Sequence, residues 1–551
     1  MEYAGGDGWS LAKIRRNNRI NGRGLNFRWY GYSVKTGTRM LRFQVFRDGE
    51  VPSELNLGSA YLVGADNVPI RGEFTYTEGE IRCRKRAAGP SALALMWEIK
   101  SFGAILLDTV RLPERPGPYI LNVELARGRM MKLLQKREDW GLLDVADAQS
   151  VNDKFSEARE LLIQAMENLD DPPVAAKFAD RCLTLAMPLS EQAAVVHAEL
   201  LLHRRIATRS FPRNVFGSHA SLPQNGESYR RKILAASDFV SLPLHWKNIE
   251  PQQQNFNWGP VDEWADFLRR AKLPMVGGPL VQFSEAAIPD WLYIWEHDYE
   301  TVRSMLYEHI ERVVTRYGSQ VVLWNVLSAL HVNAHFSFTF DQLMDLTRMA
   351  INLVKKILPS AQTMIEITQP WGEYYAGNQR SIPPLIYAEM AVQSGIPFEL
   401  FGLQLCFGVP RDGCWQRDLF QISMMLDRFA PMGKPLVITR MGVPSSVVEA
   451  NNGSGQWRKP WNDQIQAKWL EAVTNIVLSK PFIEAVCWSD LADEPTSRIP
   501  GGGLLSSDLM AKASYQTWTS MRKAVMAVRQ GVVKSQDSAK AGSPPPSAKP
   551  V

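Results

Sequence analysis

Cysteine is scarce in this chain: five residues among 551, at positions 83, 182, 406, 414 and 487, odd in number and with no CxxC pair. That excludes a disulfide-stapled fold and a zinc module of the CxxC type. Long apolar runs are also missing. No stretch reaches the roughly 18 apolar residues of a membrane-spanning helix, and Met1–Arg16 lacks the apolar segment of a secretory signal. A cytoplasmic protein with no membrane partner is the expectation. Excess charge of one sign is absent too: 62 basic against 57 acidic residues leave +5, too dilute for a nucleic-acid partner. The short basic runs Arg82–Arg86 and Arg15–Arg16 read as solvated faces.

What is present is an ordinary globular composition, 45% hydrophobic and 22% charged, arranged in four stretches. Residues 1–135 carry short alternating runs (Met40–Arg47, Ala60–Gly64, Glu73–Thr77, Ala92–Lys100, Ala104–Leu112, Tyr119–Leu125) punctuated by turn residues such as Asp48-Gly49 and Pro116-Gly117. This pattern predicts a β-sandwich-like domain, a surface for a protein partner. Over 136–208 the period changes: Val151, Phe155, Ala158, Leu161, Leu162, Ala165 and Met166 form a helical stripe. Pro172-Pro173 is read as its end, and two further helical stretches, 173–186 and 189–205, complete a helical connector.

From 209 to 528, apolar β-type runs alternate with helix-length segments: Val215–His219, Phe239–Trp246, Pro274–Val281, Val321–Leu327, Thr363–Ile367, Phe401–Cys406, Pro435–Thr439 and Ile483–Trp488. Eight strands in such alternation make an α/β fold, a (β/α)8 TIM barrel. The Ser-, Ala-, Lys- and Pro-rich stretch 529–551 reads as a disordered tail.

Within the barrel several segments follow one another in a recognisable order. They are Phe216-Gly217; Trp246-Lys-Asn-Ile-Glu250-Pro251 with Phe256, Trp258 and Asp262; Pro289-Asp-Trp291-Leu292; Trp324-Asn325-Val326; Gly402-Leu-Gln404; Ile438-Thr439; Trp488; and Gly503-Leu-Leu505 with Lys512-Ala513 and Tyr515. Taken together, residues 210–525 resemble glycoside hydrolase family 10, the xylanase family. The resemblance implies an oligosaccharide or polysaccharide ligand and no cofactor.

Retaining hydrolysis of a glycosidic bond needs two carboxyl groups about 5–5.5 Å apart, one to protonate the leaving oxygen and one to attack the anomeric carbon. In the family these are the Glu closing Trp-Asp-Val-x-Asn-Glu and the Glu of Ile-Thr-Glu. The matching positions here are Ala329 and Arg440. Alanine has no proton to give, and guanidinium stays charged. An oxocarbenium-like centre about 4 Å from that cation would be repelled by about 4 kcal/mol at an effective dielectric of 20, roughly a thousandfold in rate. No Glu or Asp lies between Gln320 and Phe340 or between Phe429 and Val448 to replace them. The sugar-gripping positions differ as well: the family's Glu-Asn-x-x-Lys reads Ser241-Leu-Pro-Leu-His245, its Trp-His pair reads Gln282-Phe283, and Ser328 and Cys406 replace an Asn and a His.

Three functions are compatible with these residues. The first is a catalytically inactive, carbohydrate-associated barrel that binds a saccharide, neutral or anionic, through Arg440, Gln404, Trp488, His245 and Trp246. The second is an active glycosyl hydrolase acting on xylan or a related polysaccharide through relocated carboxylates, with Glu366 and Glu373 the candidates and Glu285 and Asp490 also near strand ends. The third is a structural or assembly protein. His331 and His335, four apart, are the start of a zinc site without a third ligand, and no metal is assigned. Trp415, Trp457 and Trp461 fall in strand-end loops, where indoles serve either as sugar platforms or as packed lids.

Overall fold

A computed structural model describes residues 39–145, 148–224, 226–447 and 453–531. The assignments to residues 1–38, including Arg15–Arg16, and to the tail beyond 531 lie outside the described residues. Among the described residues no helix is long and apolar enough to cross a membrane.

The first unit holds eight strands: β1 Arg39–Gln44, β2 Tyr61–Val63, β3 Pro69–Ile70, β4 Gly72–Thr77, β5 Glu80–Lys85, β6 Ala92–Ile99, β7 Gly103–Asp108 and β8 Tyr119–Ile120. They form two four-stranded sheets, β4-β5-β1-β8 and β3-β2-β6-β7. Leu41, Phe43, Ile81 and Cys83 of one sheet share a core with Leu62, Leu93, Leu95, Ile105 and Leu107 of the other. The basic run at Arg82–Arg86 is largely part of β5. Its alternation puts Ile81, Cys83 and Lys85 inside and leaves Arg82 and Arg84 exposed. Lys85 is therefore not solvated; its ammonium is held by Glu114 at 2.8 Å and Ser91 at 2.7 Å.

The strand expected over Tyr119–Leu125 ends after two residues, and the chain continues as a helix, α1 Leu121–Asp139, that runs across the expected boundary at 135. Two more helices follow, α2 Gln149–Glu167 and α3 Pro172–Ala207. Pro172 and Pro173 open α3 rather than merely ending α2: prolines suit the first helical turn, and the Asp171 carboxylate accepts from Val174 N. The two helical stretches expected after them are one helix of 36 residues that runs through Pro188. A mid-helix proline costs about 3 kcal/mol. Burial of Leu183, Ala186, Met187 and Leu189 around it offsets that cost.

The barrel strands are β9 Phe216–His219, β10 Phe239–Leu242, β11 Met275–Gly277 continued by β12 Val281–Gln282, β13 Val321–Ser328, β14 Gln362–Ile367, β15 Leu400–Cys406, β16 Leu436–Gly442 and β17 Ile483–Trp488. All neighbouring pairs are parallel, and β11 pairing with β13 while β17 pairs with β9 closes the ring. This is a (β/α)8 TIM barrel. Its interior is packed by Phe239, Val276, Leu323, Met364, Leu400, Val437, Ala485 and Cys487, contributed by successive strands. Such strands are buried on both faces, which is why they read as continuous apolar runs.

The sandwich and the connector are welded to the barrel. Edge strand β7 pairs with barrel loops, Leu106 N donating to Gln416 O at 3.0 Å and Gln456 N to Ala104 O at 2.9 Å. Arg417 donates to Glu373 at 2.6 Å and to the Tyr61 hydroxyl at 3.0 Å, all three buried. Arg129 of α1 reaches Asp418 at 2.6 Å. Glu191 of α3 accepts from Leu419 N, Trp457 Nε1 and Arg458.

Candidate functional site at the barrel mouth

In a parallel barrel the strands present alternate side chains to the interior and to the helical layer, and the site lies at their C-terminal ends. Starting from the interior residues Met364 and Cys487, a step of two along each strand brings Glu366 and Ser489 toward the mouth, and two such steps from Leu400, through Gly402, bring Gln404. Asn325 follows Leu323 in the same way. Gly402 lies between Thr439 and Glu366: a Cβ there would meet Thr439 at 2.8 Å and Glu366 Cβ at 3.2 Å. Glycine at this strand position lets those two side chains close over the interior. The register slips between Ile438 and Met441, so Arg440 joins this group despite its place in the alternation.

Four charged side chains share the mouth: Arg440, Glu366, and two from the segment after β17, Asp490 and Arg498. Their mutual influence is visible in their acidities. Burial raises the Asp490 carboxyl, with Arg440 the main opposing influence and Arg498 a weaker one. Burial tends to lower the Arg498 guanidinium, but Cys406, Cys414, Glu366 and Asp490 outweigh it and leave it raised. Yet among the described residues no nitrogen of Arg440 or Arg498 lies within 4.0 Å of a carboxylate oxygen of Glu366 or Asp490, although ion pairs are plentiful elsewhere. The internal salt bridge that would plug the mouth is not formed.

Two histidines complete the wall. His219 Nε2 lies 2.7 Å from Thr439 O, and burial, then Arg440, holds the ring well below the usual histidine range. His245 is lowered to about 4 by burial and then by Arg440. Both are neutral at pH 7. His245 Nε2 and Asn325 Oδ1 are buried with no hydrogen-bond partner in the protein. Burial, partly offset by Arg498, lifts the Cys406 thiol to about 11, so it is no nucleophile at neutral pH.

Of the five side chains expected to hold a ligand, Arg440, Gln404 and His245 come together here. Gln404 does so as an acceptor fixed by Arg498 Nη1 at 2.5 Å. The two tryptophans do not. Cys487 points inward, so Trp488 points outward, into the helical layer. It is wholly buried there between Trp469 and Trp518, with its indole donating to Gly502 O at 2.9 Å. Trp246 stacks on His309 at 4.6 Å and donates to Glu250 at 2.8 Å. Glu250 also accepts from Gln254 N. The Trp-x-x-x-Glu motif is thus a structural clamp. Ala329, directly after β13, has φ +57°, a left-handed conformation that costs an alanine about 1–2 kcal/mol.

The two relocated-acid candidates separate. Glu366 is at the mouth, whereas Glu373 is engaged by Arg417 at the sandwich interface, its carboxyl raised by burial against the opposing pull of Arg417. His331 Nε2 lies 3.0 Å from Thr368 O with its ring stacked on Tyr387, and His335 Nδ1 lies 3.0 Å from the Tyr293 hydroxyl. The loop tryptophans are packed rather than presented. Trp415 sits against Tyr61, Val63 and Leu106 of the sandwich, Trp457 donates to Glu191, and Trp461 donates to Gly455 O. Sequence reading missed Arg498. Its one signal was position, in the Ser497-Arg-Ile-Pro-Gly segment just before the closing Gly503-Leu-Leu505 motif.

Comparison with known proteins finds similar sequences among xylanases. The beta-1,4-xylanase of Dictyoglomus thermophilum is 22% identical over 285 residues, 49% of this chain and 75% of the relative. Endo-1,4-beta-xylanase 2 of Aureobasidium pullulans is 31% identical over 100 residues, 17% of this chain, and that match spans only 27% of the relative's length. Among solved structures, xylanase 10B from Thermotoga maritima aligns with a TM-score of 0.44 and 17% identity over 59% of this chain and 98% of its own. The family model for glycosyl hydrolase family 10 matches residues 241–520. That stretch is more than half of the sequence and holds the end of barrel strand two and all of strands three to eight, and the chain belongs to glycosyl hydrolase family 10.

Proposed function

We propose that the barrel binds a saccharide at its mouth without hydrolysing it. One observation carries this reading: two guanidiniums and two carboxylates surround the mouth without a direct ion pair among them. Charges drawn out of water and left apart are costly unless something bridges them. A polyhydroxylated ring is suited to that role, since each hydroxyl both donates to a carboxylate and accepts from a guanidinium. The unpartnered His245 Nε2 and Asn325 Oδ1 add two more hydrogen-bonding sites, the amide oxygen an acceptor and the imidazole nitrogen a donor or acceptor according to its tautomer. With charges of both signs present, the mouth favours a neutral sugar over a uronate.

The absence of turnover rests on the residues matched by the family resemblance, Ala329 and Arg440. It is supported by the engagement of Glu373 with Arg417, which leaves the Glu366–Glu373 pair without one member. The family and its xylanase relatives make a xylan-derived oligosaccharide the first ligand to try. In calorimetry the full chain should bind xylobiose and xylohexaose saturably, with at least tenfold loss in Arg440→Ala, and release no reducing sugar from xylan. Xylan cleavage abolished by Glu366→Gln would overturn the non-hydrolytic reading in favour of a hydrolase with a displaced acid. No saccharide binding, together with a stable protein partner gripping the sandwich, would leave an assembly role instead.

A further inference from the structure

A cavity of about 760 Å³ lies where the sandwich meets the loops after barrel strands six and seven. The sandwich supplies Arg47, Asn56 and Glu98, and the barrel supplies Arg411, Gln456 and Trp461. Its size falls within the range of small-molecule sites, about 300–1,000 Å³. Its chemistry is mixed: Arg47 and Glu98 on the sandwich wall, Arg411 and Asp412 on the barrel wall, and the amides of Asn56 and Gln456 beside them. Such walls offer paired donors and acceptors to the hydroxyls of a sugar.

The cleft is set by rigid parts. The β7 pairing with Gln456 and Gln416 forms its floor, and Gln416 N donates to Ser454 O at 3.0 Å. A Cβ at Gly455 would come within 2.5 Å of Ala104 O and 3.1 Å of Met96 Sδ, so the two domains approach here as closely as glycine permits. Two hydrogen bonds link a residue of the mouth to one of the cleft. Arg411 on its wall donates to Arg498 O at 3.5 Å, and Arg498 in turn fixes Gln404 at the mouth.

We infer that this cleft is a second saccharide subsite, in which the sandwich forms one wall for the distal units of an oligosaccharide whose near end occupies the barrel mouth. The inference rests on the saccharide-binding reading of the mouth and extends it to a site that spans two domains. It predicts a length dependence: a chain long enough to reach from the mouth to the cleft gains affinity that a disaccharide does not.

The test is calorimetry with xylobiose and xylohexaose on the full chain, comparing wild type with Arg47→Ala/Gln456→Ala, with Asn56→Trp to fill the cleft, and with Arg440→Ala at the mouth. Melting temperatures serve as the check on folding. The expected result is at least tenfold weaker xylohexaose binding in both cleft variants, with xylobiose binding unchanged, and loss of both ligands in Arg440→Ala. Xylohexaose affinity indifferent to both cleft variants, with Arg440→Ala still effective, would refute the cleft and spare the mouth. Loss in the cleft variants but not in Arg440→Ala would refute the mouth and leave the cleft as an independent site. No binding of either sugar to wild type would refute both.

Discussion

Arg417→Met would strip the only cation, among the described residues, from a carboxylate that the fold has already buried. Glu373 is 3% exposed, and Arg417 donates to it at 2.6 Å across the junction of barrel and sandwich. Removing one partner of a buried pair costs about 3–5 kcal/mol, because the survivor keeps its desolvation without compensation. At roughly 2 °C per kcal/mol for a large domain, melting at pH 8 should fall by about 6–10 °C. The pH dependence fixes the cause. Burial holds the Glu373 carboxyl above its ordinary value, and Arg417 is the chief influence pulling it down. In the variant the folded-state value rises further. A carboxyl raised in the folded state favours folding while it is protonated, below the unfolded value, and loses that contribution as pH climbs through the folded value. The deficit should therefore be largest at pH 8 and shrink toward pH 4.5, and adding Glu373→Gln should recover most of it at pH 8. Differential scanning calorimetry of the three proteins at both pH values measures this. Equal destabilisation at pH 4.5 and pH 8, or no rescue by Glu373→Gln, would show that the pair is not the electrostatic link between the domains.

Other consequences are simpler to state. Trp488→Ala should destabilise the chain by about 3–5 kcal/mol, seen by chemical denaturation, because the ring is wholly buried in the helical layer; selective loss of sugar affinity at unchanged stability would place it at the mouth instead. His245 should remain neutral down to about pH 4, and its titration by NMR should move upward in Arg440→Ala, since that guanidinium is the second cause of the depression after burial. Burial lifts Asp180 to about 6 against the hydrogen bond from Asn122. Asp180→Asn should accordingly stabilise the fold above pH 6, on the order of 2 kcal/mol by linkage, and do little below pH 4; a stabilisation that is independent of pH would contradict the assignment.

The eight barrel strands were legible because doubly buried parallel strands are apolar throughout, and their runs survive in the sequence wherever they fall. β5 was not, since Arg82 and Arg84 on its outer face present a basic run that conceals the alternation of Ile81, Cys83 and Lys85. Pro188 suggested a break because local propensity opposes helix there, whereas packing of α3 against neighbours on several sides decides the outcome. Trp488 was placed correctly at a strand end but on the wrong face. A strand's position in the order of motifs does not say which way its last residue points; the inward neighbour Cys487 does. The welding contacts had no local signal at all. Arg129 and Asp418 are 289 positions apart, and Tyr61 and Arg417 are 356 apart, so only the fold brings them together.

That same remoteness explains how a hydrolase scaffold can be turned to binding without losing its shape. Motifs that persist, Trp246 with Glu250, Asp262 with Tyr317, Trp488 with Gly502, tie helices, loops and a strand together away from the mouth, while Gln404 of the Gly402-Leu-Gln404 motif stays at it. On the proposed reading the charged residues at the mouth changed in concert while these contacts held. The guanidiniums of Arg440 and Arg498, the latter turned toward Gln404, share the mouth with the carboxylates of Glu366 and Asp490. A mouth with charges of both signs suits a ligand that is neutral and rich in hydroxyls, and the Arg440 guanidinium works against a transition state that gathers positive charge beside it.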